Sequence, residues 1–192
     1  NVEINSLQRI NVSDVNDIIN QYYNQSIFLL PLEEISKSIN QLRWVKHVYI
    51  STNFNNKLNV EIFEYKPIGL FFYNNQLFYF SKNGKIIDKF REGINESLII
   101  FYGNQSSMAA YKFLNIINRA KAVNLIKESY YINERRWDVR LHNNILLNLS
   151  EINIEDSLKN YMKLIKKFNN SDIIKIKSID LRDSEKAIIS FK

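Results

Sequence analysis

Between Leu32 and Ile62 the hydrophobic period of this chain changes from that of a helix to that of a strand, and few folds accommodate the switch. Leu32, Ile35, Ile39 and Leu42 recur at i, i+3, i+7 and i+10, one stripe of an amphipathic helix. Pro31 suits the first helical position, and Glu33 and Glu34 follow in the first turn, where the helix dipole favours acid. After Trp44 and Val45 the repeat shortens. Val48 and Ile50 mark one strand face, residues 53–56 make a turn, and Leu58, Val60 and Ile62 alternate with Asn59, Glu61 and Phe63. Upstream, an extended segment runs from Val2 to about Ile10. The spacing predicts a helix over 14–23, with Ser13 as its N-cap and Asp14 and Asp17 near its positive end. Ile27-Phe28-Leu29-Leu30 is an apolar connector. The order is β-α-α-β-β, with helices able to cover one face of a small sheet.

From Tyr65-Lys66-Pro67 onward the character is mostly β, so the chain is read as two domains, 1–66 and 67–192. Residues 68–73 and 76–80 flank Asn74-Asn75, a hairpin pair, and 81–84 turn into Lys85-Ile86-Ile87. Residues 98–101 form a strand closed by Gly103. A long helical pattern covers 108–127, carrying Ala110, Phe113, Leu114, Ile117, Ala120 and Ile126. Residues 136–141 and 145–149 form a hairpin, and 156–168 a second amphipathic helix with Leu158, Tyr161, Met162 and Ile165 inward. The fold class is α+β: the β-α-α-β-β unit, then a curved antiparallel sheet backed by two helices.

The last fourteen residues close the chain with a hairpin. Ile179-Asp180-Leu181-Arg182 alternates apolar with charged, Asp183-Ser184-Glu185-Lys186 breaks the pattern, and Ala187-Ile188-Ile189-Ser190-Phe191 follows. A last strand at a sheet edge offers unpaired N–H and C=O groups, and no Pro or internal charge blunts this one. Two readings stand at this point. The strand finishes the sheet, or it docks a strand from a partner, with Phe191 as the anchor.

Composition excludes several classes. The chain has 192 residues, a net charge of +6 and no cysteine, so disulfides, thiolate metal sites and cysteine nucleophiles are out. Its 29 Ile, 27 Asn and 18 Lys against 8 Arg reflect an AT-rich genome, which dilutes the meaning of each Lys. The aromatics sit in β-like runs and the lysines are scattered, an arrangement unlike a nucleic-acid groove. No run approaches the roughly 18 apolar residues of a membrane span. Neither His47 nor His142 has a ligand partner at metal spacing, and both read as surface side chains. Asn83-Gly84-Lys85 lacks the strand-to-helix context of a phosphate loop. Arg135 and Arg136, beside Trp137, suit a solvated strand face or a protein contact. Asn-x-Ser triplets at Asn11 and Asn148 are expected by chance in so Asn-rich a chain. The residues nominate no enzyme, no metal, no cofactor and no small-molecule substrate.

Five short motifs, in order, carry a resemblance. Leu42-Arg43-Trp44-Val45-Lys46-His47-Val48 is similar to the "leucine-proline-tryptophan-valine-x-x-alanine" helix-to-strand junction of the bacterial FtsQ/DivIB family, with Arg43 for the proline and Val48 for the alanine. The run from Leu58 to Pro67 resembles that family's strand ending in glutamate-x-x-proline. Residues 77–86 resemble its "leucine-valine-aspartate…glycine" turn without the aspartate. Arg135-Arg136-Trp137-Asp138-Val139-Arg140-Leu141 and Ile179-Asp180-Leu181-Arg182 resemble two further signatures, the first leaning to the alphaproteobacterial branch.

The resemblance implies an N-terminal POTRA domain over 1–66 and a C-terminal β domain over 67–192. It also implies a cytoplasmic tail and a single transmembrane helix before Asn1, with this segment in the periplasm at the division septum. The implied role is a non-enzymatic divisome scaffold of the inner membrane that binds FtsB and FtsL and helps recruit other septal membrane proteins. Matched by position, the contact with FtsB by strand addition falls on Arg182, Ala187, Ile188, Ile189, Ser190 and Phe191, with Asp183 in place of the family's aromatic. Arg135 and Arg136 are further partner-binding candidates. The competing reading is a POTRA-bearing, chaperone-like module of outer-membrane protein assembly or secretion, which usually carries tandem POTRA repeats.

Overall fold

The computed structural model describes residues 2–53, 57–91, 97–183 and 185–192. Backbone contacts divide the chain into two units, Asn1–Lys66 and Pro67–Lys192. In the first, β1 (Val2–Ile4) is followed by α1 (Val12–Asn20), a 3-10 turn (Ile27–Leu29), α2 (Leu32–Asn40), β2 (Val45–Thr52) and β3 (Leu58–Glu64). The strands form one sheet in the order β1-β3-β2, with β1 parallel and β2 antiparallel to the central strand. The helical stripe meets the strand face as its periodicity requires. Ile35 and Ile39 of α2, with Val15 and Ile19 of α1, pack in a buried layer with Val48, Leu58, Val60 and Ile62.

The entry into α1 differs from expectation. Asn11, not Ser13, is the N-cap: its backbone is extended and its side chain accepts the Ser13 N–H at 3.2 Å. The helix ends at Asn20, three residues short of Tyr23. Pro31 occupies the cap position of α2, one residue before the first helical turn. The Glu64 carboxylate fixes the path into α1 by accepting the N–H groups of Gln8, Arg9 and Ile10 at 2.8–2.9 Å. Residues 54–56 of the expected 53–56 turn lie outside the described residues, as does Ser184 of the polar break.

The second unit contains β4 (Pro67–Tyr73), β5 (Gln76–Ser81), β6 (Ile86–Lys89), β7 (Ile100–Tyr102), α3 (Ser106–Arg119), β8 (Ile126–Ile132), β9 (Arg136–Leu141), β10 (Leu146–Leu149), α4 (Ile154–Ile165), α5 (Asn170–Ile173), β11 (Ile176–Leu181) and β12 (Ile188–Phe191). Asn74 and Asn75 both adopt positive φ, 47° and 57°, the conformation a two-residue hairpin turn demands. Nine strands form one sheet in the order β12-β11-β10-β9-β8-β7-β4-β5-β6.

Two features of this sheet depart from the sequence reading. It is mixed, because β10 and β11, β4 and β7, and β7 and β8 run parallel. Parallel neighbours need a crossover, and α3 and α4 are the crossovers of β7-α3-β8 and β10-α4-β11. The expected 108–127 helix also stops at Arg119. The chain reverses at Lys121, where φ is +56°, and Ile126 opens β8, a strand the periodicity missed. Ser129 is fully buried on the inward face of that strand, so a polar residue interrupts the alternation that would have revealed it.

Ala110, Phe113 and Ile117 of α3 and Leu158 and Tyr161 of α4 cover one face of the sheet, over Phe101, Trp137, Val139, Leu147 and Ile179. Trp137 stacks between Phe113 and Tyr131, each 4.5 Å away between ring centroids, with Phe101 edge-on at 5.7 Å. No helix among the described residues is long and apolar enough to cross a membrane.

Candidate partner-binding edge

The closing hairpin is held from the α4 side. Ile176, Ile179 and Leu181 of β11 are buried, and β11 pairs in parallel with β10 from Leu146↔Ser178 to Leu149↔Leu181. Ser157 of α4 pins the upper end: its hydroxyl is 3.1 Å from the Leu181 carbonyl and accepts the Ser150 N–H. β12 then returns antiparallel, with Ile179↔Ile189 and Asp180↔Ile188, and a bulge between Ile176 and Ser178. Its far end is tied by the Lys192 N–H to the Lys175 carbonyl at 2.9 Å and by Lys192 Nζ to the Ile174 carbonyl at 2.7 Å. β12 is therefore anchored along one side and at its C-terminal end, and its other side is the margin of the nine-stranded sheet.

The register sorts its side chains. Ile189 and Phe191 lie opposite buried Ile179 and Ile176, on the helix-bearing face, where Ile189 packs against the core. Phe191 remains 55% exposed. Ile188, 66% exposed, and Ser190 point to the other face, and Ala187 is exposed at the start of the segment. An exposed aromatic and an exposed aliphatic on opposite faces of an edge strand give an added strand an apolar neighbour on each side.

The helix-free face near this edge is charged. Asp138 of β9, Asn148 of β10, Asp180 of β11 and Ile188 of β12 form one cross-strand row. Arg136 reaches Asp138 at 3.4 Å, and Arg182 donates through Nε to both Asp180 oxygens at 2.9 Å. These hydrogen bonds hold the Asp180 carboxyl below the usual carboxylate range, against the effect of its partial burial. The same hydrogen bond to Asp180, with Asp138 adding from across the row, raises the pKa of Arg182. Arg182, which the resemblance places in the strand-addition contact, is thus engaged within its own chain, with about half its side chain exposed. The structure brings Arg136 and Arg182 to one face and separates Arg135, which pairs with Glu151 at 3.1 Å. The carboxylates Asp138 and Asp180 were not among the expected contact residues. Their signal was the i, i+2 spacing to Arg136 and Arg182, which puts each pair on one strand face.

Further along the same face, Glu128 and Arg140 are joined at 3.1 Å, the Tyr130 hydroxyl donates to Glu128 at 2.5 Å, and Tyr102 stacks on Tyr130 at 4.8 Å. Burial raises the pKa of both phenols, with Glu128 adding to it. In the first unit, His47 stacks on Phe63 at 4.3 Å. Among the described residues no group of three His, Cys, Asp or Glu side chains could hold a metal ion. What the arrangement offers is backbone pairing along β12, apolar contact beside it and a paired ionic row behind it.

Known proteins align with most of the chain. Residues 1–65 match the family described as POTRA domain, FtsQ-type, and residues 72–182 match the family described as cell division protein FtsQ/DivIB, C-terminal. The latter span stops before β12. The cell division protein FtsQ of Rickettsia bellii is 31% identical over 190 residues, covering 98% of this chain and 70% of that protein. Its counterpart in Rickettsia typhi is 30% identical over 189 residues, covering 98% and 71%. That of Rhizobium meliloti is 27% identical over 127 residues, covering 66% and 41%. Among solved structures, the major extracytoplasmic domain of DivIB from Geobacillus stearothermophilus superposes with a TM-score of 0.38 at 16% identity, over 54% of this chain and 92% of that one.

Proposed function

The chain belongs to the FtsQ/DivIB family of cell-division proteins, which are not enzymes, and we propose that it is the periplasmic part of a divisome scaffold that captures an FtsB-like partner by strand addition to β12. In this reading residues 1–66 and 67–192 act as separate domains, held at the inner membrane and the division septum by a single transmembrane helix outside this chain. It also binds an FtsL-like protein and helps recruit later septal membrane proteins.

The observation that carries the reading is the position of β12 as the last strand of a nine-stranded sheet, with one margin unpaired among the described residues and no Pro or Asp, Glu, Lys or Arg from Ala187 to Phe191. Main-chain hydrogen bonds along that margin supply affinity whatever the side chains, and Phe191 and Ile188 select what lies beside them. Because Asp180 already holds Arg182, a partner carboxylate near it would share the guanidinium, so Arg182 tunes orientation and association rate more than affinity. The match of residues 1–65 to an FtsQ-type POTRA domain and of residues 72–182 to the FtsQ/DivIB C-terminal family supports this reading over a POTRA-bearing chaperone.

The test is calorimetric binding of the soluble FtsB-like fragment from the same genome. Phe191 exposes 55% of its surface. Covering roughly 100 Å² of ring at about 25 cal/mol per Å² is worth about 2.5 kcal/mol. Phe191→Asp is expected to weaken binding by roughly fifty- to a hundredfold with the thermal melt unchanged within a few degrees. Full-strength binding by a folded chain truncated after Lys186 would refute the proposal.

A further inference from the structure

Below the start of β12 the helix-bearing side carries a groove of about 300 Å³, lined in part by Lys163 and Leu164 of α4, Lys167 just past its end, Leu181 of β11, and Lys186 and Ala187 of the segment entering β12. Asp183 and Glu185 also line it. The electrostatics are unbalanced. Lys159, one turn earlier on α4, is paired with Glu155 at 2.8 Å, whereas among the described residues Lys163, Lys167 and Lys186 make no ion pair, with Asp183 and Glu185 or with any other carboxylate. Asp183 is turned to its own backbone, its carboxylate accepting the Glu185 N–H at 2.8 Å. Three lysines without an ion pair, against two carboxylates, thus line a cleft together with Leu164 and Leu181, and Ala187, where the free margin of β12 begins, is part of the same lining.

We propose that this groove receives a carboxylate side chain of the added strand, so that the partner segment carries Asp or Glu on its helix-facing side, next to Ala187. The inference rests on the strand-addition reading and names the chemistry that reading leaves open. Charge complementarity selects the occupant. A strand paired to β12 continues the sheet, so alternate side chains point to the α4 side. The one nearest Ala187 meets Lys163 and Lys167. Its methylenes lie against Leu164 and Leu181 while its carboxylate reaches the ammonium groups, and the longer stem makes Glu the better fit. An apolar residue there would leave the lysines uncompensated, and a basic one would be repelled. The groove therefore fixes both register and choice of partner, a task backbone pairing alone cannot perform.

The experiment compares wild type, Lys163→Glu/Lys167→Glu and the control Lys112→Glu/Lys121→Glu, which makes the same charge change on and after α3. The probe is the soluble FtsB-like fragment, titrated at about 50 mM and about 500 mM NaCl. The Lys163/Lys167 variant is expected to bind about tenfold or more weakly at low salt and to lose most of the salt dependence of the wild type, while the control stays within about twofold. Phe191→Asp and the chain truncated after Lys186 are run alongside. If those two lose binding and the Lys163/Lys167 variant matches wild type, strand addition stands and the acidic-pocket inference falls. If those two bind as wild type does, strand addition itself fails and this inference with it.

Discussion

Trp137→Ala separates a structural role for the second unit's central aromatic from a role at the partner surface. The indole is 4% exposed and lies 4.5 Å from both the Phe113 and Tyr131 rings, with Phe101 at 5.7 Å. Burying a side chain of this size removes about 200 Å² from water, an upper bound of about 5 kcal/mol. Measured large-to-Ala changes in cores run at about 3–5 kcal/mol. The expected loss is therefore about 4 kcal/mol, a large part of the roughly 5–15 kcal/mol that hold an ordinary domain together. In a unit of this size that lowers Tm by about 15 °C. Trp137→Phe keeps one ring against Phe113 and should cost half of that or less. The assay is denaturant unfolding followed by circular dichroism, with Trp44 fluorescence reporting separately on the first unit. Trp137 is on β9, three strands from β12, so partner affinity well below Tm should stay within about twofold of wild type. A loss under about 1 kcal/mol, or an affinity loss in a chain of unchanged stability, would refute the core assignment.

Two other perturbations have definite signs. Asp180 has its folded pKa depressed by Arg182, so its contribution to stability is complete above its unfolded pKa of about 4 and fades as pH falls through the lower folded value. Asp180→Asn should thus lie slightly below wild type in thermal melts at pH 7 and converge with it in melts below about pH 4; a gap that widens in acid would contradict the pairing. Gly69→Ala adds a methyl 2.7 Å from the Phe101 ring and 2.9 Å from the Phe80 ring. Both rings are fully buried, and overpacking should cost about 1–3 kcal/mol, read by chemical denaturation, with a neutral result showing that the core can yield there.

What was legible in the residues follows the range of the interaction that fixes each feature. Elements set by local period, such as the Ile35/Ile39 stripe, the Leu58/Val60/Ile62 alternation and the Asn74-Asn75 turn, could be read directly, because each is decided within about one helical turn or one strand. The direction of the strands could not be read from their own alternation, which parallel and antiparallel pairs share. It was present at the next level up: a strand, a helix and a strand in succession imply a crossover and a parallel pair. β7-α3-β8 and β10-α4-β11 obey that rule, and β10-α4-β11 is what carries the final hairpin to the margin of the sheet. β8 escaped notice because fully buried Ser129 breaks its pattern. The same limit applies to the candidate site. The exposed edge is a property of one segment and its end position in the sheet, so the last strand pointed to it. The groove joins Lys163 of α4 and Lys167 just past it to Lys186 and Ala187, about twenty residues later in the chain. Only the packing of α4 against β10 and β11 brings those two segments together, and none of the lysines stands out by type or spacing in a chain with 18 of them. Selectivity assembled from such distant, unremarkable residues can be lost or acquired without disturbing any local motif. A chain can therefore keep its edge strand intact while changing which partner strand that edge accepts.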